Sequence, residues 1–461
     1  LIRTINEMFE WLINLGGPAI MFIIITLLSM VFGVKFSKSL ESGIRMAIAL
    51  TGMTAAISLL TNALGPALKD FVKMSGVDLS VTDLGWAPLA VITWGSIYTL
   101  YFAFICTITN LVLLLFNKTK TLNVDLFNIW NISVLGLLIE YYAHNMIVTS
   151  IFVIGIYTLI LKNSDALKPS IDHVLDYDDK NVTTTAHPSL LIAPFVLIVD
   201  KFITKFLPFI DKFDFNAETL NRKIGFWGSK FAIGVYLGVF IGVLGQQSLK
   251  EVLVLGFTTG VVLELFAYIG GWFGSAIEPL SNRISDLMSS RLRGRKLYVG
   301  IDWPILASSA ELWAVINLLA PILLVIAMIL PGNNVLPLGG ILLTILAPAL
   351  LLITRGKVIR MTLIGTILIP LFLWAATMIS GFLTNTSKSM GEFPSGLSKG
   401  QMFSSVDSDP IEKMLAILIG NAWDTFDIKL ILISIIAIIA YITVFAWYFK
   451  AMKIKDKDIK S

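Results

Sequence analysis

The sequence predicts an all-α polytopic membrane protein of about eleven transmembrane helices, with two inverted repeats and re-entrant hairpins. Three observations carry that prediction. Of 461 residues, 56% are hydrophobic and only 14% charged, with a mean hydropathy of +0.82, a composition far from that of a soluble globule. Apolar runs of about 20 residues, the length a helix needs to cross a bilayer, recur along the chain. The motifs of the first half also reappear in order in the second. Length alone would suggest several soluble domains; the apolar runs make residues 1–461 a single membrane domain instead.

The start, LIRTINEMFEWLINLGG, is amphipathic, has no small-residue cleavage site and continues into an apolar run, so it reads as an interfacial segment rather than a signal peptide. Repeat one covers about 14–161. It holds spans near 17–34 and 44–64, then a run from 86 to 116 that is too long for one upright helix and predicts a re-entrant piece followed by a span. The run 126–161 carries Glu140, His144 and Asn145 at its middle and predicts two elements meeting there. Residues 162–230 form a polar loop, LKPSIDHVLDYDDKNVTTTAHPS, and an amphipathic segment in which charges interleave with Phe at helical spacing.

Repeat two covers about 231–383, with spans near 231–245, 252–274, 304–330, 335–353 and 358–383. A polar insert at 384–427 precedes a last span at 428–449 and a basic tail at 450–461. By the positive-inside rule that tail is cytoplasmic, together with SSRLRGRK at 289–296. Three matches support the repeat. Ser39-Leu40 corresponds to Ser248-Leu249, Asp83-Leu84-Gly85-Trp86-Ala87-Pro88 to Asp302-Trp303-Pro304, and Asn117 to Asn333. Order is kept while the spacing drifts, as short insertions would produce. An odd number of crossings per copy inverts one copy against the other and places a solute site near the midplane, where broken helices of both halves meet.

Few residues are left to carry chemistry. The single cysteine, Cys106, sits in an apolar run and excludes a disulfide frame or a cysteine metal site. Three histidines cannot build a multi-His centre, and there is no phosphate-binding Gly-x4-Gly-Lys loop, no HExxH and no ladder of Arg. No metal or cofactor is expected, and a net charge of +4 spread along loops gives no sign of nucleic acid.

Acids at bilayer depth are costly and normally face a bundle interior or wet cavity. The candidates are Asp83 and Trp86 at the first Asp…Trp…Pro turn, and Asp302 and Trp303 at the second, with Glu311 two turns further on. Asp302, two residues before a proline, also has the context of an ordinary helix N-cap. Glu140 and His144 share a helix face one turn apart, with Asn145 beside them. His187 stands where the chain re-enters the membrane. Acids and amides take hydroxyls while Trp faces take C–H surfaces, so the set favours a neutral, hydroxyl-rich solute bound without a cofactor.

The stretch GIDWPILASSAELWAVINLLAPILLVIAMILPGNNVLPLGG, together with TTAHPSLL, GVLGQQSLKEVL and SSRLRGRKLYVGIDW, closely resembles the galactitol-type enzyme IIC permeases of the bacterial phosphoenolpyruvate-dependent phosphotransferase system. The resemblance covers nearly the whole chain except the polar insert. It implies a multi-pass protein of the bacterial inner membrane that carries a polyol, galactitol first, inward. Phosphorylation is by a separate phosphocysteine IIB protein, with IIA upstream, and no independent catalytic centre is expected in this chain. The ascorbate-carrying relative further implies a homodimer in which a mobile core slides as an elevator against a fixed scaffold. Carried over, its ligand contacts fall on Asp83 and Trp86, His144 with Glu140, His187, and Asp302. The basic segments 289–296 and 355–357 are candidate docking points for IIB. The competing expectation is an ion- or proton-coupled secondary transporter of a small polar solute, which inverted repeats and buried acids fit equally well.

Overall fold

The computed structural model describes residues 16–460 except 77–78, 95, 126–128, 177–180, 185–187, 213, 215–225, 227–229, 292–295, 341–342, 392, 395–396, 398–399 and 407. Helices α1 (Gly16–Val31) and α2 (Phe36–Ser75) lead through strand β1 (Val81–Asp83) into α3 (Ala87–Trp94) and α4 (Ile97–Leu115). Strand β2 (Thr121–Asn123), α5 (Ile129–Ala143), α6 (Met146–Leu175), β3 (Val182–Thr184) and α7 (Ala193–Phe206) complete the first half. The second half runs α8 (Lys230–Leu244), α9 (Leu249–Arg291), β4 (Tyr298–Ile301), a 3-10 turn (Trp303–Ser308) and α10 (Ala310–Ile329). It continues with β5 (Val335–Leu336), α11 (Ala347–Thr354), α12 (Val358–Ser389), β6 (Met402–Ser404) and α13 (Pro410–Thr425). The order of helices and strands in the second half repeats that of the first, and α14 (Ile428–Lys460) follows without a counterpart.

Local chemistry sets the breaks. The run 86–116 divides at Ser96, whose side chain accepts from the Tyr98 N–H and caps α4. The run 126–161 divides at His144, in the left-handed region at φ 47°, and Asn145, whose Oδ1 accepts from the Ile147 and Val148 N–H groups. The span expected at 335–353 is not a crossing helix. Pro337, Gly339 and Gly340 follow the two-residue β5, and among the described residues of that range helix begins only with α11 at Ala347. Nor is 384–427 a plain loop: α12 runs on to Ser389, and β6 and α13 follow.

Five described helices are long and apolar enough to cross a membrane: α4, α6, α10, α12 and residues 428–455 of α14. Shorter apolar helices cover Pro18–Val31, Ile129–Ala143 and Gly234–Leu244. Ile435, Ile436, Ile439 and Ile442 on α14 and Phe104, Ile108 and Leu111 on α4 are exposed, as an apolar belt against lipid requires.

Helices α1, α2, α8 and α9 pack chiefly on one another, and the remaining helices form a second group. Glycines bring α8 and α9 together: a Cβ on Gly238 would lie 2.7 Å from Gly256 Cα, and one on Gly234 would lie 2.6 Å from Gly260 Cα.

Two small parallel sheets were not foreseen from the sequence. One has the order β5-β1-β6 and the other β2-β4-β3. In each, the middle strand comes from one half of the chain and its two neighbours from the other. Val81 pairs with Val335 and Met402, and Val299 pairs with Leu122 and Val182. The first sheet is fastened to α12 through Ser404 Oγ, which donates to the Ala376 carbonyl, and the second to α6 through Thr183 Oγ1, which donates to that of Ser164 at 2.9 Å.

Candidate functional site

Because the strands are parallel, the carboxyl ends of all three point the same way in each sheet, and the turns that leave them are gathered at one edge. Residues 84–86, 337–340 and 405–406 leave the first sheet, and residues 124–125 and 302–303 leave the second. Asp83 ends β1, Trp86 stands on the turn after it, and Asp302 and Trp303 stand on the turn after β4. His187 lies outside the described residues.

Asp83 is fully buried and its carboxylate is held by backbone. Oδ1 accepts from the Gly85 N–H at 2.8 Å and the Val406 N–H at 3.0 Å, and Oδ2 accepts from the Gly340 N–H at 2.6 Å. Three backbone donors satisfy an ionised carboxylate away from water. The side chain thereby ties the first-half turn to two second-half segments. Glycine is required around it: a Cβ on Gly339 would fall 2.1 Å from the Gly85 nitrogen, and Gly85 itself has φ 72°.

Trp86, two-fifths exposed, lies against the buried Trp130 on α5, with ring centroids 5.9 Å apart. Trp86 follows the first sheet and Trp130 follows the second, so this pair bridges the two edges. Asp302 is partly buried, and its Oδ1 accepts from the Trp303 N–H at 2.7 Å, which is the cap its sequence context allowed. Trp303 is buried, as is Trp313, whose Nε1 donates to the Ala307 carbonyl at 2.8 Å and braces the 3-10 turn.

The other candidates are not brought to the sheet edges. Glu140, His144 and Asn145 stand at the far end of α5 from Trp130, about 20 Å away at 1.5 Å per residue. His144 is exposed, Glu140 half-buried, and the Asn145 side chain caps α6. Glu311 accepts from Ser309 Oγ at 2.8 Å and lies against Gly356 in the α11–α12 turn. An open cleft of about 620 Å³ lies elsewhere again, among Asp70, Lys73, Gln246, Gln247 and Glu251 where α2 meets the α8–α9 turn. Among the described residues no group of three or more His, Cys, Asp or Glu could hold a metal ion.

Two polar clusters escaped the sequence. At one, Arg360 is 5% exposed and donates to Asp200 at 2.9 Å, Thr204 at 2.7 Å and Asp211 at 2.7 Å. Lys357 pairs with Asp211 at 2.9 Å and Lys455 lies 3.7 Å from Asp200, which ties α7, α12 and α14 together. At the other, Asp409, Glu412 and Lys413 are all buried. Tyr441 donates to Glu412, and Lys413 donates to the Ser408 carbonyl at 2.7 Å. The signal that could have found the second cluster is Asp409-Pro410: Pro410 opens α13 shortly after β6, as Pro188 opens a 3-10 turn shortly after β3.

The five helices long and apolar enough to cross a bilayer, with their exposed apolar faces, define an integral membrane protein. The chain belongs to the sugar-specific permease components of the phosphotransferase system, the EIIC-GAT family, whose profile matches residues 13–396. It is 25% identical over 407 residues to the galactitol-specific EIIC component of Escherichia coli K12, covering 87% of this chain and 88% of that one. The O157:H7 protein of the same name gives the same figures. A putative permease IIC component of E. coli K12 is also 25% identical, over 86% of this chain and 92% of its own length.

Proposed function

We propose that this protein carries galactitol, or a closely related hexitol, inward across the bacterial inner membrane and presents it to a separate phosphocysteine IIB protein, itself charged through IIA. The observation that supports the solute class is the Trp86–Trp130 pair bridging the two sheet edges, in a chain whose relatives bear the name galactitol. Trp86 offers an aromatic face to the C–H side of the polyol, while Asp302 and His187 take hydroxyls and Asp83 holds the wall. The chemistry of phosphoryl transfer is mostly positioning and charge stabilisation, so the chain needs no catalytic centre of its own. Glu140, His144 and Asn145 flank the route at one end and Glu311 at the other. The two inverted halves form a homodimeric elevator, with α1, α2, α8 and α9 as scaffold and the remaining helices as the moving core. Segments 289–296 and 355–357 dock IIB.

A second reading is gradient-driven transport of unmodified solute. The observation favouring it is the buried Asp409, Glu412 and Lys413 group, since ionisable side chains at membrane depth commonly serve ion pathways. Uptake of radiolabelled galactitol into vesicles holding the protein, with and without phosphorylated IIB, separates the two. Galactitol phosphate appearing only with IIB is the expected result. Free galactitol accumulating on an ion gradient alone would overturn it in favour of the second reading.

A further inference from the structure

Three side-chain atoms at the sheet edges are buried and find no hydrogen-bond partner among the described residues: Trp130 Nε1, Thr184 Oγ1 and Ser405 Oγ. Their residues are 3%, 0% and 2% exposed. A buried indole N–H or hydroxyl left unpaired is unfavourable, and native structures rarely keep one without a reason. Other unpaired hydroxyls, those of Ser29, Ser42, Thr149, Ser170 and Thr259, sit within helices. There a small rotation reaches the carbonyl one turn back. The three at the sheet edges have no such recourse, because two stand on extended chain and the third is a fixed ring.

Their placement is common to all three. Thr184 ends β3 and pairs with Ile301, the residue before Asp302. Its neighbour Thr183 turns its hydroxyl into α6, so alternation along the strand sends Thr184 to the opposite face. Ser405 follows β6, between Ser404, whose carbonyl accepts from the Leu84 N–H, and Val406, whose N–H donates to Asp83. Ser404 turns its hydroxyl into α12, so Ser405 likewise points away from the covering helix. Trp130 carries its N–H on the ring that meets Trp86.

We infer that Trp130 Nε1, Thr184 Oγ1 and Ser405 Oγ are hydroxyl-binding groups of the solute site, which rests on the polyol reading above and adds to it three residues the sequence did not single out. All three are uncharged, and two both donate and accept, which suits a neutral chain of hydroxyls and disfavours an anion. Ser405 lies beyond residues 13–396, the stretch that matches the family profile.

The test uses the full chain in detergent, galactitol as probe, and the variants Trp130→Phe, Thr184→Val and Ser405→Ala; the last two remove a hydroxyl while nearly keeping shape, and the first also removes ring volume. Titration calorimetry should show galactitol affinity falling about five- to tenfold per variant, the scale of one hydrogen bond. The thermal midpoint without galactitol should stay at or above the wild-type value in Thr184→Val and Ser405→Ala, because an unpaired buried group has been removed rather than a bond. Affinity unchanged in the variants would overturn this inference alone. So would a lowered midpoint without galactitol in Thr184→Val and Ser405→Ala, which would mean those hydroxyls have protein partners. A wild type that binds neither galactitol nor any other hexitol would overturn the polyol reading and this inference with it.

Discussion

Asp83 is the residue whose replacement discriminates most sharply between a ligand and a structural tie. Its carboxylate accepts from the N–H groups of Gly85, Gly340 and Val406, at 2.8, 2.6 and 3.0 Å. In Asp83→Ala all three buried donors lose their acceptor, at about 1–3 kcal/mol each. Part of that is offset because a carboxylate no longer has to be desolvated. The net loss should be on the order of 3–5 kcal/mol of stability. In Asp83→Asn the amide oxygen can keep Gly85 and Val406, but an N–H2 group then faces the Gly340 N–H, for a cost of about 2 kcal/mol. Thermal unfolding in detergent, followed by tryptophan fluorescence, should therefore rank wild type above Asn and Asn above Ala. An Asp83→Asn protein with a wild-type midpoint that no longer binds galactitol would refute the reasoning and make Asp83 a direct ligand.

Other substitutions follow from the same packing. Gly339→Ala should abolish folded protein on size-exclusion chromatography, because its Cβ would overlap the Leu84–Gly85 peptide at 2.1–2.2 Å and backbone cannot give way there. Arg360→Ala leaves Asp200 buried without its guanidinium and should cost about 3 kcal/mol in thermal unfolding, largely recovered in Arg360→Met combined with Asp200→Asn. For Asp211, burial alone would raise the carboxyl, but Lys357 and Arg360 outweigh it and hold it below the usual carboxylate range. A depressed value means that its stabilisation is present above the unfolded carboxylate value and fades as pH falls through the lower folded one. Asp211→Asn should thus lower the midpoint slightly at neutral pH, by no more than about 1 kcal/mol for so exposed a pair, and the difference should vanish well below about pH 4.

What the sequence made legible was local. Apolar runs marked the membrane class, and the break at His144-Asn145 could be placed because polar residues interrupt an apolar run there; the run 86–116 called for a break but did not place it at Ser96. The strands were illegible for the opposite reason. Val81–Asp83, Thr121–Asn123 and Val182–Thr184 are too short to show a period of two, and their partners lie far along the chain. Asp83 was found as an acid near a Trp, yet its role could not be read, because its distant partners are main-chain groups of Gly340 and Val406 and any residue carries an N–H. Trp130, Thr184 and Ser405 look like ordinary core and loop residues in sequence. Only the sheets show that they share an edge.

The strand exchange bears on how such a centre could move. Each sheet takes its middle strand from one half of the chain and both flanking strands from the other, so neither half can shift against its partner without breaking a ladder. The turns carrying Asp83, Trp86, Asp302, Thr184 and Ser405 are therefore held as one unit, with α6 and α12 fastened to it through Ser164 and Ala376. Arg360 adds α7 and α14 to the same unit through Asp200, Asp211 and Lys455. Helices α1, α2, α8 and α9 contribute no strand to either sheet and pack mainly among themselves. A displacement along the boundary between these two groups would leave both sheets intact.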